Sequence, residues 1–179
     1  MTDEWGNSQT SVVMMLYTDS FVIRGNLTTR HRRLLDMLNL AEDEFLVLAD
    51  AVLEPLGNRG TRHEAPHAQV NLAAVLFAVA HESVAPTPEL RTPKVPETTL
   101  ISIPPFSITG HIHLLPEREI EAALKELHGR FIPVTEATYW STLLGEAPAT
   151  APMVAVNHAR AQILSPYSAP GTTSRIAGD

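Results

Sequence analysis

The segment Phe21-Val22-Ile23-Arg24-Gly25-Asn26-Leu27 decides the fold, because it returns as Phe106-Ser107-Ile108-Thr109-Gly110-His111-Ile112, 85 residues later (106 minus 21). In both versions apolar residues alternate with polar or small ones, the period-two pattern of a half-buried strand. A glycine stands in the middle of each. Mid-strand glycine predicts a sharp bend or a close backbone approach as a small sheet coils, so Gly25 and Gly110 are assigned structural turning roles.

Working outward, two further blocks repeat after one inserted residue, at an offset of 86. Phe45-Leu46-Val47-Leu48-Ala49-Asp50-Ala51 aligns with Phe131-Ile132-Pro133-Val134-Thr135-Glu136-Ala137, and Val70-Asn71-Leu72-Ala73 with Val156-Asn157-His158-Ala159. Three blocks in one order define two copies of a small unit, residues 11–82 and 98–165. Between them, 83–97 contains Pro86, Pro88, Pro93 and Pro96 and is expected to be an extended linker. Residues 1–10 and 166–179 have too little apolar surface to offset the entropy of ordering, and both ends are expected to be disordered.

Within each copy the chain reads as mainly β. Val12 to Tyr17, the turn signal Asp19-Ser20 and the Phe21 segment form a hairpin. Leu34, Leu35 and Leu38, matched by Ile120, Ala123, Leu124 and Leu127, recur at helical spacing, so a short helix follows the second strand. Third strands are predicted over Phe45 to Leu53 and Phe131 to Tyr139, loops over Pro55 to Pro66 and Leu144 to Pro152, and broken strand pairs over Ala68–Val79 and Met153–Leu164. Asn71 and Asn157 lie inside apolar runs, where an unpaired amide is costly. A tight corner between two short strands, which asparagine tolerates, accounts for both.

The chain has 179 residues with 13 basic and 20 acidic side chains, a formal charge of −7 and no cysteine. Absence of cysteine excludes disulfides, thiolate zinc sites, iron–sulfur clusters and a cysteine nucleophile. No apolar run approaches the roughly 20 residues of a membrane helix, and Met1-Thr2-Asp3-Glu4-Trp5-Gly6 lacks the basic and apolar regions of a secretory signal. A cytoplasmic chain without membrane contact is expected.

Met15-Leu16-Tyr17-Thr18-Asp19, Ile23-Arg24-Gly25-Asn26-Leu27, Asp36-Met37-Leu38-Asn39 and Leu48-Ala49-Asp50-Ala51 follow one another in the order of a known motif. In these residues the first copy resembles the Sm-like family of small β-barrels. The second copy keeps Gly110, Leu124 and Glu136-Ala137. The resemblance implies two tandem Sm-like, SH3-like barrels, each with a short helix between its second and third strands, in a bacterial offshoot of the family. It also implies that Asn39 matches the RNA-pocket asparagine. Val70-Asn71 and Val156-Asn157 stand where that pocket has Arg-Gly.

The candidate chemistry is sparse. His63-Glu64-Ala65-Pro66-His67 matches the H-E-x-x-H zinc motif, but Pro66 breaks the helical turn on which that mechanism depends. His111 and His113 share a strand face and could bind a metal with His158 or Glu136 as a third ligand, although exposed strand histidines suffice as an account. Arg24, Arg30, His31, Arg32 and Arg33 form the concentrated positive patch and, with Asn39, the candidate nucleic-acid or anion site; Asp36, Glu42, Asp43 and Glu44 follow closely and balance it. Tyr139 and Trp140 are expected in a core or interface. No phosphate loop, nucleophile elbow or dinucleotide fingerprint occurs, so no enzyme activity and no cofactor are expected. Barrels of about 70 residues are marginal alone and have open edges. The expected partner is therefore the protein itself, with nucleic acid as the less favoured alternative.

Overall fold

The computed structural model describes residues 9–31, 33–58, 60–80, 93–142, 144–145 and 147–168. They form ten strands and two six-residue helices: β1 Thr10–Tyr17, β2 Phe21–Thr29, α1 Leu34–Asn39, β3 Phe45–Pro55, β4 His63–Asn71, β5 Phe77–Ala80, β6 Val95–Ile103, β7 Phe106–Leu114, α2 Ile120–Lys125, β8 Phe131–Trp140, β9 Ala149–Asn157 and β10 Ile163–Pro166. The mainly-β expectation holds, with each helix between the second and third strands of its copy. The pattern is clearest in β7, where Phe106, Ile108, Gly110, Ile112 and Leu114 are buried and the residues between them are less so. Helix α1 buries Leu34, Met37 and Leu38, the i, i+3, i+4 stripe of a helix lying on a sheet.

The strands do not close into two separate barrels. All ten join one antiparallel sheet in the order β10-β6-β7-β8-β9-β5-β1-β2-β3-β4. Read as copies, β5-β1-β2-β3-β4 and β10-β6-β7-β8-β9 are the same five-strand arrangement, laid end to end and joined where β5 pairs with β9. Among the described residues β10 and β4 are the open edges.

The two glycine segments occupy equivalent places. The β2–β3 register shifts between Arg24 and Asn26, and the β7–β8 register between Thr109 and His111, so each glycine sits in a bulge that bends its strand. A Cβ on Gly25 would lie 2.8 Å from Leu48 Cβ, and one on Gly110 only 2.6 Å from Val134 Cγ1. Opposite these bulges, Asp50 and Glu136 both adopt a left-handed backbone with φ of 49°. Asn26 Nδ2 donates to Asp50 Oδ2 at 3.3 Å, while His111 Nε2 lies 3.1 Å from Glu136 Oε2. One polar side-chain contact thus spans the bulge in each copy.

Several boundaries differ from expectation. β4 begins at His63 and β9 at Ala149, inside the stretches expected to be loops. Pro66 and Pro152, 86 residues apart, both fall where the ladders skip a residue, opposite Asp50 and Glu136. Proline has no N–H to contribute, so a gap in the ladder accommodates it even in the interior strand β9. Val95 and Pro96 pair with Leu114 and His113, which places the end of the expected linker in β6. Thr10 and Pro166 likewise belong to strands rather than to disordered ends. The rest of those expectations, for 1–8, 83–92 and 169–179, lies outside the described residues.

Candidate self-assembly interface

The joint between the copies is built mainly from side chains rather than from its short ladder. Only Phe77 and Ala78 of β5 pair with Val156 and Ala155 of β9. Around them Tyr17 stacks on Phe77 with ring centroids 4.3 Å apart, and Phe106 and Tyr139 of the second copy meet this pair edge-on. The Tyr17 and Tyr139 hydroxyls are 3.2 Å apart. Aromatic pairs in these geometries contribute beyond the area they bury.

Two asparagines tie the copies together. Asn39, ending α1, accepts the Phe131 N–H at 2.8 Å through Oδ1 and donates Nδ2 to the Phe131 carbonyl at 2.9 Å. This holds Phe131, 1% exposed, in the first copy's apolar cluster with Leu34, Met37 and Leu38. Asn157, 2% exposed, donates Nδ2 to the carbonyls of Val75 at 2.8 Å and Leu72 at 3.4 Å, and its main-chain N–H to Leu76 at 2.8 Å. Arg160 adds exposed contacts to Asp19 and to the Ala73 carbonyl.

Four residues equivalent to ones buried around this joint are exposed at the outer edges, although Val70, the counterpart of Val156, is itself buried. Phe77 and Phe106 are buried, whereas their counterparts Ile163 and Phe21 are 58% and 40% exposed. Phe131 and Leu34 are buried, and their counterparts Phe45 and Ile120 are exposed. Phe21 and Phe45 belong to the copy that ends in β4, Ile120 and Ile163 to the copy that ends in β10. A shallow groove of about 390 Å³, lined by Asp43, Glu44, Phe45, Val47 and Gln69, runs along the β4 end.

Arg24 is exposed on β2, Arg30 and Arg33 are exposed before α1, and the His31 N–H donates to Thr29 Oγ1; Arg32 lies outside the described residues. Asn39 sits at the far end of α1 from Arg33, about 9 Å along the axis, with its amide committed to Phe131. Among the described residues no group of three or more His, Asp or Glu side chains is placed to hold a metal. His111 Nδ1 is 3.2 Å from Thr98 Oγ1, and His113 Nε2 is 2.8 Å from Thr135 Oγ1. His158 begins the turn after β9, where its main-chain N–H donates to the Arg130 carbonyl. His63 and His67 lie on the exposed edge strand β4, not on a helix. Asn71 shapes a corner, its Oδ1 accepting the Ala73 N–H at 2.8 Å.

The sequence reading missed the exposed apolar residues as a set. The available signal was Phe at matched positions 21/106 and 45/131, at the start of the second and third strands of each copy. No helix of the described residues is long and apolar enough to cross a membrane. The chain matches no known family model, no curated protein and no solved structure.

Proposed function

We propose that this chain is a non-enzymatic assembly protein of two fused Sm-like units that polymerises head to tail, the β10 edge of one copy of the chain pairing with the β4 edge of the next. The observation that carries the reading is the correspondence between the residues buried at the β5–β9 joint and those exposed on the two outer edges. The internal joint is heterologous, since it pairs the fifth strand of one unit with the fourth of the other. The outer edges are the unused halves of the same contact. Repetition of such a contact closes a ring when its rotation divides a full circle and otherwise extends a filament. The shortness of β10 is no obstacle, because β5 is equally short and holds the internal joint.

Light scattering on the full chain is expected to give a multiple of the single-chain mass. Phe45→Glu spoils the β4 edge and Ile163→Lys the β10 edge, so each variant alone is expected to run as single chains with unchanged circular dichroism. An equimolar mixture of the two has one intact edge of each kind and is expected to give two-chain particles and nothing larger. Wild-type chains that stay single at every concentration would overturn the proposal.

A further inference from the structure

We infer that Asn71 sets the register of the contact between chains, by donating its side-chain amide to the main-chain carbonyls of His158 and Ala161 of the partner subunit. The inference rests on the head-to-tail reading and adds the residue that aligns the edges. Its template is Asn157, whose amide reaches the carbonyls of Leu72 and Val75 across the internal joint. Asn71 occupies the same repeat position, pairing with Phe45 as Asn157 pairs with Phe131.

The corners that would receive these bonds share two anchoring bonds, although the turn between them closes from the Val75 N–H to the Leu72 carbonyl in the first copy and from the Ala161 N–H to the Asn157 carbonyl in the second. The Leu72 N–H donates to the Glu44 carbonyl and the His158 N–H to the Arg130 carbonyl, each at 2.8 Å. The Leu76 N–H donates to Tyr17, and the Gln162 N–H to Ser102, at the matching positions. The carbonyls of His158 and Ala161 therefore correspond to those of Leu72 and Val75 that Asn157 reaches. Asn71 itself is exposed. Its Oδ1 is occupied by the Ala73 N–H, and its NH2 group, two donors, has no acceptor among the described residues. Asn157 differs in that its own Oδ1 is buried without a partner, whereas the Asn71 oxygen is held by its corner, which leaves the Asn71 NH2 group as the part of the side chain with donors to give a second chain.

Asn71→Asp separates the two uses of this side chain. The carboxylate still accepts the Ala73 N–H, so the corner and the single chain keep their fold. It offers no donor, however, and sets a charge against carbonyl oxygens, which weakens the contact between chains by about a hundredfold or more. We expect Asn71→Asp to form two-chain particles with Ile163→Lys, whose β4 edge is intact, and to stay single when mixed with Phe45→Glu, which is spoiled on the same edge. Asn157→Asp is expected instead to lower the stability of the chain itself. If Asn71→Asp assembles with wild-type affinity while Phe45→Glu and Ile163→Lys do not, the role of Asn71 is lost and the head-to-tail reading stands. Failure of Asn71→Asp to pair with Ile163→Lys would equally overturn it, since the defect would not be confined to the β4 edge. If wild-type chains never associate, the head-to-tail reading itself fails.

Discussion

Gly110→Ala is expected to cost about 3 kcal/mol of folding stability, the upper part of the range for overpacking a tightly filled site. The added Cβ would stand 2.6 Å from Val134 Cγ1, 2.8 Å from the Thr135 carbonyl oxygen and 3.2 Å from Ala137 Cα. Two of these three atoms are main chain of the neighbouring strand, so the clash is relieved only by separating β7 from β8 at the bulge. A side-chain rotation does not suffice. Gly25→Ala meets Leu48 Cβ at 2.8 Å but the Ala49 carbonyl only at 3.1 Å, and a smaller loss of about 2 kcal/mol is expected. Against a total of about 5–15 kcal/mol for a typical domain, either change is large. Urea denaturation checks both: the midpoint falls, more for Gly110 than for Gly25, with the slope preserved. Wild-type stability for Gly110→Ala would remove the claim that the bend requires a missing side chain.

These glycines also explain why so much of the architecture was legible. A bulge that brings two backbones this close accepts only glycine, so both copies of the unit kept it, and the surrounding alternation kept its phase. The helices were equally readable, because Leu34 and Leu38 and their counterparts mark one face of a short helix. What the pattern could not reveal was the continuity of the sheet. Whether β5 closes on its own copy or pairs with β9 depends on contacts between residues far apart in sequence, such as Asn39 with Phe131, and neither side chain announces its partner. The prolines mislead for a related reason. Pro66 and Pro152 signal a loop when taken locally, yet the left-handed residues Asp50 and Glu136 on the neighbouring strands leave each a gap in the ladder. His111 and its counterpart Asn26 each reach an acidic side chain across their bulge, a shared polar role that the repeat alignment makes visible only once Asp50 and Glu136 are placed opposite them.

Phe131→Ala and Phe45→Ala give the same change at matched positions, and the structure assigns them opposite consequences. Phe131 is buried in the cluster beneath α1, and its truncation opens a cavity where the two copies meet. The expected loss is about 3–5 kcal/mol, typical of a buried phenylalanine. The Asn39 bonds go to main-chain atoms of residue 131 and survive the change, so the loss reports side-chain packing rather than hydrogen bonding. Because that packing joins the copies, the second copy is expected to lose hydrogen-exchange protection along β8 and β9 before the first loses it along β2 and β3. Phe45 is 43% exposed in the single chain and has less burial to lose, so its truncation is expected to cost about 1 kcal/mol or less in folding. On the head-to-tail proposal its effect is expected to fall on association, which weakens because the side chain that would meet α2 of a second chain is gone. Denaturation midpoints and light scattering on the two variants separate these outcomes. If Phe45→Ala destabilised the single chain as much as Phe131→Ala while leaving association untouched, the outer edge would not be the unused half of the internal joint.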